Sequence, residues 1–363
     1  MHACARTGEP LPSPPSSTTA DLPAHFATEA ELDDFLTRPR SALVESVRSL
    51  ASPLVVLGAG GKMGPALAVL AHRAAEAAGH PLEVIAVSRF GGGPTRAWLE
   101  ARGVKTLSCD LLAPNAAQHL PDTPNLVYLV GLKFGTAQNP AATWAVNTLV
   151  PLQVAQRYPR ARMVVLSTGN VYPLGPASAG GATEDAPLTP LGEYANAAVA
   201  RERLFQFCAQ RDDTAIALLR LFYAVELRYG IVVDLAKRVA HGEPIDLTNG
   251  YFNCIWQGDA NEMILRALAL AGNPPSVWNL CRPEAFSVRT IAEQLGVLLG
   301  QKPVFQGLEA DTALLGNPAK LCAALGPPAT PLQATLRWTA HWVARGGRDW
   351  GKPTHFEVRD GQY

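Results

Sequence analysis

Apolar positions along the chain fall into two rhythms. "PLVVLGA" (53–59), "LEVIAVS" (82–88), "NLVYLVG" (125–131) and "ARMVVLST" (161–168) are near-continuous apolar runs of strand length. Between the first two lies "GPALAVLAHRAAEAAG" (64–79), an Ala-rich helical stretch. Strands without polar alternation, separated by helices, predict a parallel sheet covered on both faces. Upstream, Thr28-x-x-Glu31 has the form of a capping box opening a helix over "EAELDDFL" (29–36), which must stop near Pro39. "SALVESVRSL" (41–50) predicts a second helix. Residues 1–24, rich in Pro, Ser and Thr, are expected to be disordered. From about residue 222 the pattern breaks up among Pro-rich turns, as in a smaller lobe laid over the carboxyl edge of the sheet.

The stretch "VVLGAGGKMG" (55–64) gives this pattern chemical meaning. Gly58 permits a tight turn out of the strand, and Gly61 lets backbone N–H groups approach a diphosphate. Gly64 lets the next helix pack close to the sheet, while Lys62 and Met63 complete the loop. The positive end of that helix then faces the phosphates. A dinucleotide site follows, and with it the fold class: α/β, a Rossmann-type doubly wound parallel sheet with a smaller C-terminal α/β substrate lobe. NAD binders usually place Asp or Glu at the end of the second strand. Here Ser88-Arg89 stands there, which suits a 2′-phosphate and favours NADP over NAD. Asp110-Leu111 ends another strand-like stretch and is a candidate for holding the adenine amine.

Composition excludes other classes. Lys+Arg and Asp+Glu balance at 31 each, so no global field points to nucleic acid or an acidic membrane. Arg201-Glu202-Arg203 reads as a solvated helix face. The six cysteines include no C-x-x-C pair and the eight histidines no H-x-x-x-H pair, so neither a metal site nor a disulfide framework is expected. "MHACARTGEP" lacks the apolar core of a secretory signal, and no run of about 18 apolar residues spans a bilayer. The expectation is a soluble, cytoplasmic protein.

With these residues in view, the chain from about 53 to 345 resembles the extended short-chain dehydrogenase/reductase family, in its NAD(P)-dependent sugar epimerase/dehydratase branch. "GAGGKMG" is similar to the family's G-x-x-G-x-x-G. "VGLKFG" is similar to the A-G-L-K segment of UDP-galactose epimerases, which puts Gly131 and Lys133 beside the cofactor. "AVNTLVPLQVA" resembles the N-V-x-G-T helix, with Asn147 in the asparagine slot. "VVLSTGNVYP" resembles the S-[ST]-x-x-V-Y-G element, giving Thr168 the catalytic hydroxyl and Asn170 a place against substrate. "TEDAPLTPLGEYANAAVARERL" resembles the segment carrying Y-x-x-x-K, with Tyr194 as acid/base. "SVWNLCRPEAFSVRTIAEQL" is like the family's Y-N-[IV]-G-x-G stretch.

The departures are as informative. The lysine slot four residues after Tyr194 holds Ala198, and an unassisted phenol near pKa 10 is a poor base at pH 7. Arg201, two turns on and about 10 Å along the axis, is too far to replace a one-turn neighbour directly. Lys133 is expected to supply part of the missing charge, or else to hold cofactor phosphate or ribose. Tyr223 replaces an asparagine that often touches a sugar nucleotide, and Phe252 an arginine that pairs with its diphosphate. The expected substrate is therefore a sugar, sugar acid or related hydroxy/carbonyl compound and not a nucleotide sugar, in a pocket lined by Tyr223, Phe252 and Trp256, unless those aromatics are ordinary core.

The expected organisation is a tail (1–24), a helical arm (25–52), a nucleotide-binding domain (53–221 plus about 251–272) and a substrate lobe with C-terminal tail (222–250 plus 273–363). The resemblance implies a homodimer built on the helices after Asn147 and Tyr194. Two functions compete: an NAD(P)-dependent oxidoreductase or epimerase/dehydratase, and an NAD(P)-binding regulatory or sensor protein without turnover. The tail "DWGKPTHFEVRDGQY" (349–363) is expected to cover either the active site or an oligomer interface.

Overall fold

The computed structural model describes residues 22–352 and 354–362, so the tail expected to be disordered lies, up to residue 21, outside the described residues. Seven strands form one parallel sheet: β1 (Leu54–Leu57), β2 (Val84–Ser88), β3 (Lys105–Ser108), β4 (Asn125–Tyr128), β5 (Arg162–Thr168), β6 (Ile216–Leu221) and β7 (Ser276–Leu280). Their spatial order is β3-β2-β1-β4-β5-β6-β7. The order reverses between β1 and β4, and a crevice opens outside the carboxyl ends of strands at such a point.

The continuous apolar runs are explained by two cores. Leu54 and Val56 of β1, Val127 of β4 and Val164 of β5 point into one. Their neighbours Val55, Leu57, Leu126, Tyr128, Met163 and Val165 point into the other. With helices on both faces, all four positions of β1 are buried and apolar, whereas β3, at the sheet edge, is polar and partly exposed. Each such side chain, fully removed from water, stabilises by about 1.5–3 kcal/mol.

The helices are α1 (Glu29–Leu36), α2 (Ser41–Val47), α3 (Gly64–Ala78), α4 (Thr95–Glu100), α5 (Pro140–Arg157), α6 (Glu193–Asp212), α7 (Ile231–His241), α8 (Gln257–Arg266), α9 (Val288–Leu299), α10 (Ala319–Leu325) and α11 (Leu332–Ala344). Helices α2, α3 and α8 cover the first face, and α5 and α6 the second. Helices α7, α9 and α11 form the smaller lobe around Ile231, Leu235, Ile291, Leu295 and Leu336. None of the described helices is long and apolar enough to cross a membrane. The cap at α1 forms with one shift: Thr28 accepts from Glu31 N at 3.2 Å as read, but Glu31 Oε2 accepts from Ala27 N, one residue before the N-cap, at 2.6 Å.

Three expectations are corrected. Ser276–Leu280, assigned from sequence to the substrate lobe, is the sheet's edge strand, paired from Ser276–Ala217 to Leu280–Leu221. Residues 22–24 are not part of a loose tail, because Trp338 Nε1 donates to the Pro23 carbonyl at 2.7 Å. Arg201-Glu202-Arg203 is not a solvated face: Arg201 is 3% and Glu202 0% exposed. Glu202 receives Arg220 Nη2 at 2.7 Å and Ser167 Oγ at 2.5 Å, and Arg220 Nη1 reaches Tyr172 Oη at 2.6 Å. This buried network ties α6 to β5 and β6.

The arm from 25 to 52 packs onto the main body. Phe26, Leu32 and Leu36 join Trp256, Trp338 and Trp342 in one cluster. Arg40 bridges to Asp259 at 2.6 Å and Glu262 at 2.7 Å on α8. The C-terminal tail crosses the smaller lobe. Trp350 N donates to Arg228 O at 3.1 Å, Phe356 is buried, and Arg359 Nη1 donates to Thr312 O at 2.7 Å.

Candidate functional site

The loop between β1 and α3 is shaped by its glycines. Gly58 has φ +82°, and a Cβ there would lie 3.0 Å from the Leu129 and Val130 backbone at the end of β4. A Cβ on Gly64 would stand 2.5 Å from Ala59 Cα, so only glycine lets α3 approach its own loop this closely. At Gly61 a Cβ would lie 3.3 Å from the Gly58 carbonyl. A fourth glycine went unread in the sequence: at Gly60 a Cβ would lie 2.5 Å from Ser88 Oγ. Met63 caps α3 without a side-chain hydrogen bond, and no acidic residue occupies the first turn. The first N–H groups of α3 are therefore left for a ligand, and the helix dipole favours an anion there. Ser88 and Arg89 flank this loop at the end of β2; Arg89 is exposed and makes no ion pair with a described residue. Asp110 Oδ1 accepts from Leu112 N at 3.1 Å, closing a turn after β3 that includes Leu111.

A cavity of about 260 Å³ opens beside the loop, over the carboxyl ends of β4, β5 and β6. Among the sequence candidates, Lys62, Met63, Gly131, Lys133, Thr168, Asn170, Tyr194 and Tyr223 line it. Thr168 ends β5; its Oγ1 lies 3.0 Å from Asn170 Oδ1 and accepts from Asn170 N at 3.2 Å. Tyr194 sits in the first turn of α6 and is buried. Lys133 Nζ lies 5.8 Å from the Tyr194 ring centroid, and burial pushes its ammonium down to about 8. Lys62 Nζ crosses from the glycine loop, donates to Ala224 O at 2.5 Å and lies 4.5 Å from the Tyr229 ring centroid. Burial pushes this ammonium down to about 8 as well, against the attraction of Glu226 and Asp234.

Other candidates sit elsewhere. Asn147 is fully buried behind the cavity, where its Nδ2 donates to Leu132 O and Thr143 O at 2.9 Å each, bracing the loop that carries Lys133. Phe252 is not on the cavity wall. It is fully buried in the smaller lobe, between Tyr223 and Phe286 at centroid distances of 6.5 and 5.9 Å. Trp256 belongs to the cluster under α1 and α11. The expected aromatic pocket is therefore reduced to Tyr223. Phe252 lies in a two-residue strand paired antiparallel with Phe286–Ser287, which turns its ring into the core.

Several cavity residues were missed. Arg201 reaches the site after all: its Nη1 donates to Asn147 Oδ1 at 3.0 Å and lies 3.3 Å from Val130 O. A Cβ on Gly131 would stand 2.8 Å from that nitrogen, so the glycine makes room for the guanidinium. Axial rise along α6 had argued against this; a long side chain lying along the helix covers the distance. Arg201 Nε is buried with no hydrogen-bond partner, and no described carboxylate pairs with Arg201. Ala198 packs against Val171, Tyr172 and Phe222. Tyr229 and Gly230, in "LRYG" before α7, line the cavity, as does Thr354 of the C-terminal tail. Thr354 is held by Asp234, which accepts from its N at 3.0 Å and its Oγ1 at 2.6 Å. No signal in the sequence marked Thr354; Arg201 was weighed as a replacement cation and set aside on its axial distance from Tyr194.

The arrangement brings a phenol, a secondary hydroxyl, an amide and three cations together beside an uncapped helix N-terminus. It can polarise a substrate hydroxyl or carbonyl and move its proton. Among the described residues no group of three or more His, Cys, Asp or Glu side chains converges to hold a metal ion.

Comparison with known proteins agrees with this fold. Among solved structures, MoeE5 in complex with UDP-glucuronic acid and NAD superposes with a TM-score of 0.63 at 21% identity, over 81% of this chain and 99% of that one. UDP-glucose 4-epimerase from Thermus thermophilus, in complex with NAD, gives 0.65 at 21% over the same shares. UDP-glucuronic acid 4-epimerase from Bacillus cereus, with UDP-glucuronic acid and NAD, gives 0.66 at 18%, again over 81% and 99%. At such identities the likeness establishes the fold. No curated protein sequence matches the chain. Residues 54–281, more than half of the chain, match the profile of the NAD dependent epimerase/dehydratase family. The chain belongs to the NAD dependent epimerase/dehydratase family.

Proposed function

We propose that the protein is an NAD(P)-dependent oxidoreductase or epimerase/dehydratase acting on a hydroxyl or carbonyl carbon of a sugar, sugar acid or related compound. One observation carries the reading: Tyr194, Thr168 and Lys133, from three separate elements, line one cavity beside the glycine loop. The residues fit a nicotinamide dinucleotide. The glycine cradle and the open end of α3 would hold the diphosphate, and Ser88, Arg89, Asp110 and Leu111 the adenosine end. When bound, the nicotinamide supplies hydride transfer. Arg89 favours NADP, whereas the solved neighbours hold NAD, so both are to be compared.

Tyr194 takes or gives the proton of the reacting hydroxyl; Thr168, whose one hydroxyl hydrogen is donated to Asn170 Oδ1 at 3.0 Å, turns it to the same oxygen when substrate binds, while Asn170 N continues to hold the Thr168 oxygen. Lys133, 5.8 Å from the phenol ring, stabilises negative charge as it develops there. The expectation that nucleotide sugars are excluded is not supported by the neighbours, which hold UDP sugars, nor by Phe252, which lies away from the cavity. UDP sugars therefore belong in the substrate panel.

The test is absorbance at 340 nm with sugars, sugar acids and UDP sugars, together with product analysis. Net cofactor reduction marks a dehydrogenase, and product change without it an epimerase or dehydratase. Tyr194→Phe should lower kcat by about 10²–10⁴ with cofactor affinity retained. The alanine at 198 favours a second reading, a cofactor-binding sensor; cofactor binding without turnover across the panel would establish it and refute the first.

A further inference from the structure

Tyr229 lines the cavity alongside Tyr194, Lys62 and Thr354 and has no part in the proton transfer above. Three distant segments hold it in place. Its backbone exchanges bonds with Glu226 across a tight turn, Glu226 N donating to Tyr229 O at 3.1 Å and Tyr229 N to Glu226 O at 3.4 Å. In that turn Leu227 is buried in the cluster under α1 and α11, and Arg228 is tied to Asp33 of α1 at 2.9 Å and to Glu226 at 3.1 Å. From the C-terminal tail, Trp350 N donates to Arg228 O at 3.1 Å. Its indole stacks on the Tyr229 ring, with centroids 6.0 Å apart and planes at 28°. From the glycine loop, Lys62 Nζ stands 4.5 Å from the same ring's centroid. The Tyr229 hydroxyl makes no hydrogen bond to a described residue. Asp234, the carboxylate in its field, is taken by Thr354 N and Oγ1 at 3.0 and 2.6 Å.

We propose that Tyr229 is a substrate-binding residue, its hydroxyl donating a hydrogen bond to a second oxygen of the reactant, apart from the one that Tyr194 and Thr168 serve. The reactant is then a polyol or a hydroxy-carbonyl compound, and a simple alcohol or aldehyde falls outside the range of the site. This rests on the cofactor and acid/base reading above and adds what the cavity selects. A phenol already pinned along its ring loses little freedom when a ligand arrives. Its hydroxyl carries one donor and two acceptor lone pairs, which a ligand oxygen satisfies directly.

Burial raises this phenol above its ordinary value, and Asp234 and Tyr194 raise it further. It therefore stays protonated at neutral pH and acts as a donor, not as a second base. The dinucleotide is the competing partner, because Lys62 reaches the ring from the glycine loop. Tyr229 itself belongs to the segment that opens the smaller lobe. Gly230 and Thr354 share its stretch of the wall, and the proton-transferring Tyr194 lies in its field, which argues for the substrate side.

The experiment is calorimetry on the full chain. NAD and NADP are titrated first; absence of binding there overturns the functional reading itself. On cofactor-loaded protein, D-glucose, D-galactose, D-glucuronate, UDP-glucose and UDP-glucuronate follow, and then the single-deoxy analogues of the tightest binder. One analogue, other than the one altered at the reacting carbon, should bind about three- to tenfold more weakly than its parent. Tyr229→Phe keeps the ring that Lys62 and Trp350 touch. It should weaken the parent by the same factor and leave that analogue unchanged, with cofactor affinity within about twofold of wild type. With 3-fluorotyrosine at this position the hydroxyl is retained, so the discrimination should persist, and the fluorine resonance should move further with the parent than with the analogue. An unchanged parent affinity in Tyr229→Phe, equal losses for the parent and every analogue, or failure of the whole panel to bind overturns the proposal. So does a Tyr229→Phe variant of native melting temperature that loses cofactor affinity as steeply as sugar affinity. Where turnover persists in these cases, the functional reading stands and the proposal alone falls.

Discussion

Removing the charge of Lys133 tests how this site works without a lysine at position 198. Lys133 Nζ stands 5.8 Å from the Tyr194 ring centroid. At an effective dielectric of about 20, a unit charge at that distance is worth about 3 kcal/mol to a developing phenolate, and about 0.7 kcal/mol in water. Lys133→Met should therefore lower kcat/KM by between about threefold and about a hundredfold. The pH profile separates this role from simple packing. Burial pushes Lys133 down to about 8, so its charge is present below that pH and lost above it. Wild-type kcat/KM should fall above about pH 8. Lys62 titrates in the same range, so the comparison is made in a Lys62→Arg background, where position 62 stays charged. There the alkaline limb should be present with Lys133, absent in Lys133→Met, and moved to higher pH in Lys133→Arg. The assay is initial rate at 340 nm from pH 6 to 10. An alkaline limb unchanged in Lys133→Met, with kcat/KM within about threefold of its parent, refutes the argument.

Three further outcomes follow from the same contacts. Gly64→Ala places a Cβ 2.5 Å from Ala59 Cα, a backbone clash that no rotamer relieves; it should cost about 1–3 kcal/mol in urea unfolding and weaken dinucleotide binding. Glu202→Ala strands Arg220 in the core without its partner at 2.7 Å and should cost about 3–5 kcal/mol, with a matching drop in the urea midpoint. The homodimer implied by the resemblance would use the outer faces of α5 and α6, where Leu149 and Phe207 are 52% and 58% exposed. Phe207→Glu should then turn a dimer into a monomer by light scattering, and an unchanged mass would rule that surface out.

Much of the site was legible because its chemistry is local. The spacing of Gly58, Gly61 and Gly64 between an apolar run and a helix describes a loop whose demands are set by neighbours a few residues away. Thr28 and Glu31 cap α1 for the same reason. Tyr194, Thr168 and Lys133 were found through resemblance, each on a short motif. Phe252 and Trp256 were left between pocket and core because an aromatic residue carries no mark of whether its ring faces a cavity or a core; both lie in the core. Arg201 was misread because helix rise measures Cα positions, while a guanidinium on a long stem sits far from its own.

By itself, then, the chain fixes its strand–helix alternation, its two buried sheet faces and its glycine loop, since each depends on residue period and local backbone sterics. Only the tertiary structure decides that Ser276–Leu280 returns to the sheet edge and that Arg201 and Thr354 join Lys62 and Lys133 around one cavity. Those facts depend on contacts between residues far apart in sequence, and residue spacing does not encode which distant side chains share one low-dielectric space.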